Sequence, residues 1–213
     1  MSPGSFDPVD EFDRQTRTLI DKGYPAMTGL SAQALGELVD PLRAHVVDRA
    51  REMRPPTPAR VPFVLVVTRK LVPTHRTITV TELGGRPGFA DFDDADLERF
   101  EAIDGVDVPD REVYLVFDIE RGPDTRNVAP RDAMPMITER GRSPLTIEEG
   151  IALVTQFPET LEKNNCFSLL ASRCGDKRVP ALWISKKAPK LGWCWNGNPH
   201  TWLGSASCAG RAG

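Results

Sequence analysis

No stretch of the 213-residue sequence approaches the roughly 18 consecutive apolar residues of a membrane span. The opening MSPGSFDPVDEF carries acids and lacks the apolar run of about seven residues that a secretory signal needs. A cytoplasmic location without membrane contact is therefore expected. Thiols stay reduced in that compartment, so the four cysteines argue for buried thiols, a metal or chemistry before disulfides. Phosphate-cradling glycine motifs are missing too. GGRPG at 84–88 lacks the lysine and hydroxyl residue of a P-loop and reads as a turn, and no G-x-G-x-x-G follows a strand. The acids of 91–112 do not follow calcium-loop spacing. No organic cofactor is assigned.

What is present is concentrated near the end. Cys166 to Cys208 holds all four cysteines, all four tryptophans and one of the three histidines. Charge is uneven as well. Residues 163–213 carry eight basic residues against the single acid Asp176, a net of +7, while the rest carries 19 basic and 29 acidic residues, a net of −10. Ten acids between Asp91 and Glu112 face only Arg99 and Arg111. Two readings follow: the segments dock on one another, or the basic end is a surface for an anion or nucleic acid.

The composition, 40% hydrophobic and 27% charged, is globular, and 19 prolines predict many short elements. Helical spacing over 9–22 stops at Gly23 and Pro25. A second helix runs from the cap Ser31 toward Met53, with Pro41 kinking or splitting it. RPPTPAR (54–60) is a stiff connector. It separates a helical N-terminal arm, 1–55, from an α+β domain, 56–213. PFVLVVT (62–68) is a strand buried on both faces and placed centrally, and Val113–Ile119 is a second strand. Thr77–Thr81 alternates like a strand. Asp93 or Asp94 caps a short helix, and Pro130 opens another that stops at Gly141. Thr146 and Glu149 form a capping box ahead of the stripe Ile147, Ile151, Val154. Four short strands within 167–206 predict a C-terminal antiparallel sheet or meander. The expected fold class is α+β, with a mixed central sheet, flanking helices and C-terminal antiparallel strands.

Three chemistries suit the last fifty residues. Leu191, Trp193 and Trp195 share one strand face and, with Trp202, form either core or a stacking wall for a ring, base or sugar. Arg173 and Asn198 add polar contacts. Cys174 sits in a turn beside Arg173, Lys177 and Arg178, where positive charge lowers a thiol pKa. It is the candidate nucleophile, with His200 as base and Asp176 or Asn198 orienting it. Cys174, Cys194, Cys208 and His200 offer zinc-ligand types, but no C-x2–4-C pair exists and no metal is assigned. Cys166 and Cys194 read as buried thiols.

The segments SRCGD (172–176), RVPALWIS (178–185), APKLGWCW (188–195) and NPHTWLGSASC (198–208), with LTIEEGIALV (145–154) and PFVLVVT, resemble an actinobacterial family of unknown function. The resemblance covers the chain from about residue 60 onward. It implies a cytosolic bacterial protein and brings no reaction or ligand. The leading expectation is a binding or regulatory protein whose basic, tryptophan-rich end contacts an anionic small molecule, an acidic macromolecular surface or nucleic acid. The alternatives are a thiol-dependent enzyme acting on an acyl or thioester-like substrate, and a structural zinc module.

Overall fold

A computed structural model describes residues 6–213. The first five residues, part of the stretch weighed above as a signal, lie outside the described residues. No described helix is long and apolar enough to cross a membrane.

The chain opens with four helices, α1 (Pro8–Asp21), α2 (Tyr24–Thr28), α3 (Ala32–Val39) and α4 (Arg43–Arg49). Asp7 caps α1 and Ser31 caps α3, each accepting from backbone N–H groups of the first turn. Pro41 splits the second predicted helix: a 3-10 turn at Asp40–Leu42 separates α3 from α4. After the proline connector come β1 (Arg60–Val67), α5 (Thr74–Thr77), β2 (Glu82–Leu83), β3 (Arg86–Pro87), β4 (Phe89–Ala90), α6 (Asp94–Glu98) and β5 (Glu101–Ala102). Next are β6 (Val113–Glu120), α7 (Pro130–Glu139), β7 (Ser143–Pro144) and α8 (Ile147–Gln156). The chain ends in β8 (Cys166–Ser168), β9 (Ser172–Arg173), β10 (Arg178–Ser185), β11 (Ala188–Trp195), β12 (Leu203–Ser205), β13 (Ser207–Cys208) and β14 (Gly210–Ala212). The fold is α+β.

Two sheets organise it. The first has the order β1-β6-β13-β7, with β14 also on β6, and all its pairs are antiparallel. The second has the order β12-β8-β10-β11-β4 and carries the mixed pairing. Alternation along β1 and β6 explains the layers. Phe63, Leu65, Val67, Val113, Leu115 and Phe117 pack against Phe12, Leu19, Leu35 and Val46 of the N-terminal helices. Val64, Val66, Tyr114 and Val116 face α8 and the second sheet. Helix α8 is buried on nearly every side, as a helix between two layers must be.

Three expectations need correction. β1 is buried on both faces but lies at the sheet edge, and β6 is central. Its edge is sealed by Gln15 of α1, fully buried, whose Nε2 donates to Phe63 O at 3.0 Å and whose Oε1 accepts from Leu65 N at 2.8 Å. Thr77–Thr81 is not a strand. It continues α5 into a 3-10 turn, because Thr77, Thr79 and Thr81 each donate a hydroxyl hydrogen bond to the carbonyl three residues back. Finally, β10 and β11 form the expected antiparallel hairpin, but β12 joins β8 in parallel. The long return through the hairpin makes that crossover attainable.

The final residues bridge the two sheets. β12 belongs to the second, and β13 and β14 to the first. Where they cross the end of β6 the backbones nearly touch: a Cβ at Gly204 would lie 2.1 Å from Gly122 O, and one at Gly122, where φ is 81°, 2.1 Å from Ser205 O. Gly204→Ala should therefore cost about 2–3 kcal/mol or more in urea unfolding. Gly210→Ala, which meets nothing within 4 Å, should change little. Equal midpoints for the two variants would contradict this crossing.

Candidate functional site

The C-terminal hairpin is held together by its own turn chemistry. Lys186 and Lys187 adopt φ of 52° and 62°, so two consecutive left-handed residues close β10 onto β11. At the far end Asn196 N donates to Lys177 O, and Arg131 N of α7 donates to Asn196 O, which anchors the Asn196–Asn198 turn. Trp193 and Trp195 meet edge to face with centroids 4.7 Å apart. Trp193 is half-buried and Trp195 is 47% exposed. Trp183, Trp202 and His200 form a second aromatic group: Trp183 and Trp202 are 6.2 Å apart, and His200 lies 5.3 Å from Trp202.

Arg178 decides the electrostatics. Its side chain is only 14% exposed, and its two terminal nitrogens donate to the carboxylate of Asp96 on α6 while Nε donates to Asp176 at 2.8 Å. The guanidinium also lies 5.4 Å from the Phe100 ring and 6.0 Å from Trp193. Arg178 thereby holds both aspartates below the usual carboxylate range. Lys190 pairs with Asp91 at 2.7 Å, and Arg211 is consumed by Glu149. Three of the eight C-terminal basic residues are thus paired within the chain, two of them by the acidic segment.

Cys174, Asp176 and Arg178 come together, but the basic neighbours do not activate the thiol. Burial and a hydrogen bond with Asp176 push Cys174 up, outweighing Arg178. Burial lowers Arg173, which donates to the carbonyl of Ser172 at 3.0 Å. His200 packs with Trp202, and Cys174 with Arg178, so their contacts lie in different groups. Asn198 is exposed, its backbone N–H bonded to Trp195 O. Cys194 lies 3.8 Å from Ser168 Oγ, Cys166 donates to Glu162 O, and the Cys208 thiol is pushed up to about 12 by burial. Among the described residues, no group of three or more His, Cys, Asp or Glu is placed to hold a metal.

Residues 18–213 match the model of a family of unknown function, DUF5701. The chain belongs to that family. No curated protein matches this DUF5701 chain, and no solved structure does.

Sequence reasoning missed one feature of this DUF5701 protein. A cleft of about 630 Å³ opens between the end of α4, the proline connector and the Phe117–Asp118 end of β6, with Arg49, Arg54 and Arg60 on its walls. The signal was three arginines spaced around RPPTPAR, read only as a linker.

The thiol placements predict a labelling pattern. In native protein near pH 8 only Cys174 should react with a thiol reagent, and more slowly than a free cysteine, whose pKa is about 8.5. The buried Cys166, Cys194 and Cys208 should react only on unfolding. Rapid labelling of Cys174 at pH 7 would revive the nucleophile.

Proposed function

We propose that the protein is a binding protein, and that the Trp193–Trp195 face of its C-terminal hairpin takes a planar aromatic ring bearing negative charge, the chemistry of a nucleotide. The observation that carries this reading is Trp195, one of three large hydrophobic side chains exposed among the described residues and supported edge-on by Trp193. An exposed indole fixed from behind offers a free π-face at little entropic cost.

The charge in this reading is local. Arg178 and Lys190 are half-buried and paired with Asp96 and Asp91, whereas Lys177 is exposed beside the Asn196 turn. Arg131, 64% exposed and paired among the described residues only with the similarly exposed Asp132 at 3.5 Å, lies against Gly197 of the same turn. These two cations lie at the turn that follows Trp195 and suit a phosphate. A free nucleotide and single-stranded nucleic acid share this chemistry and differ in charge count, so their salt dependence separates them.

Titrating the native protein at low salt with a mononucleotide and with a short single-stranded DNA should quench tryptophan fluorescence. Trp195→Ala should cost about 1–3 kcal/mol of affinity and leave the fold intact, because the side chain is half outside. A steep loss of binding with salt for the DNA alone assigns the longer ligand. No fluorescence response to either probe would sink the reading.

A further inference from the structure

The arginine-lined cleft supplies a second site, made of different residues. Its walls carry Arg49, Arg54, Arg60 and Arg211 against Glu52 and Asp118, four guanidiniums to two carboxylates in a protein whose overall charge is −3. The partners of these groups sharpen the imbalance. Arg211 is bound to Glu149. Asp118 is shared by Arg60, at 2.6 Å, and Arg142, at 2.9 Å. Those two guanidiniums hold its carboxyl below the ordinary range although burial opposes them. Arg49 and Arg54, by contrast, have no carboxylate within 4.0 Å among the described residues. Asp118 is already doubly engaged and does not neutralise them.

Arg49 is half-buried and held in place, and Arg54 is exposed on a stiff stretch of backbone. The Arg49 guanidinium lies 4.5 Å from the centroid of the Phe117 ring and donates to His45 O at 3.3 Å. Stacking on an aromatic face partly compensates a guanidinium for lost water and keeps its planar fork in one orientation. Arg54, exposed on the cleft wall, donates from Nη1 to Met53 O at 3.2 Å. The connector restricts the backbone there, since Pro55, Pro56 and Pro58 follow in close succession. Met53, Pro62 and Phe117 supply apolar wall. Two guanidiniums without acidic partners, one of them stacked in place, over an apolar wall and in a volume typical of small-molecule sites, match a ligand with an oxyanion at one end and an apolar body at the other.

We infer that this cleft binds a small organic oxyanion, a phosphate or carboxylate carried on an apolar body, with Arg49 and Arg54 holding the anionic group and Met53 and Phe117 contacting the body. Arg60 also lines the cleft, 59% exposed and paired with Asp118.

Calorimetric titration of the full chain with phenyl phosphate, benzoate and inorganic phosphate tests the inference. At least one of the two aryl probes should bind saturably with a stoichiometry near one, and more tightly than inorganic phosphate. Comparing the two aryl probes identifies the oxyanion. Arg54→Gln should weaken that binding about tenfold, the loss expected for a charge-assisted hydrogen bond. Arg49→Gln should do at least as much, and Trp195→Ala should leave it unchanged. Because Arg49 also packs on Phe117, the exposed Arg54 keeps the test independent of folding. No saturable binding of either aryl probe at low salt would overturn the inference, as would unchanged affinity in Arg54→Gln or loss of binding in Trp195→Ala.

Discussion

The ion pair between Glu149 and Arg211 is the interaction on which the packing of this protein depends. Both side chains are almost fully buried, at 1% and 4% exposure. A carboxylate in that position is tolerable only when its lone pairs are filled. Glu149 meets the requirement with four donors: Tyr114 Oη and Arg211 Nε at Oε1, and Thr146 N and Arg211 Nη2 at Oε2. Those donors come from β6, from the cap of α8 and from the final strand. Arg211 also donates to Ser143 Oγ and Pro144 O. One charge pair thus ties the central strand, the central helix and the chain end together. Tyr114 at the same junction is held well above its usual pKa, by burial first and then by the neighbouring Glu149 carboxylate.

A second constraint acts at the surface. The acidic segment and the basic hairpin carry opposite charge, and the structure brings them into contact through Asp96–Arg178 and Asp91–Lys190. Phe100 lies against Arg178 at the same junction. The summed charge of a segment is therefore a poor guide to its binding surface, since Arg178, Lys190 and Arg211 spend their charge on partners inside the molecule. What bears on the two candidate sites is local: Lys177 and Arg131 at the turn that follows Trp195, and Arg49 with Arg54 in the cleft.

Legibility followed the range of the interaction. The capping box of Thr146 and Glu149, the break at Pro41 and the Pro130–Gly141 bounds are set within a few residues of chain, and all were readable. So were the apolar runs of β1 and β6. The rank of β1 in the sheet was not, because Gln15, which seals its edge, lies 48 residues from Phe63. Thr77–Thr81 misled through its alternation, since threonine serves a strand or a back-bonded turn equally well. The second task of Glu149 was also hidden, because nothing local tells a cap carboxylate that Arg211 will arrive 62 residues later. At the candidate site, Trp193, Trp195 and Asn198 were visible as residue types. The environment of Cys174 was inverted by Asp176 and by burial, and the arginine cleft was lost inside a linker reading.

A double-mutant cycle on Glu149 and Arg211 measures the central claim directly. Urea unfolding of Glu149→Gln, Arg211→Met and the double variant gives the coupling energy. Each single change leaves a buried group without its partner and should cost about 3–5 kcal/mol. The double variant should recover a large part of that loss, for a coupling of roughly 2–3 kcal/mol. A coupling below about 0.5 kcal/mol, the level of independent sites, would contradict the account.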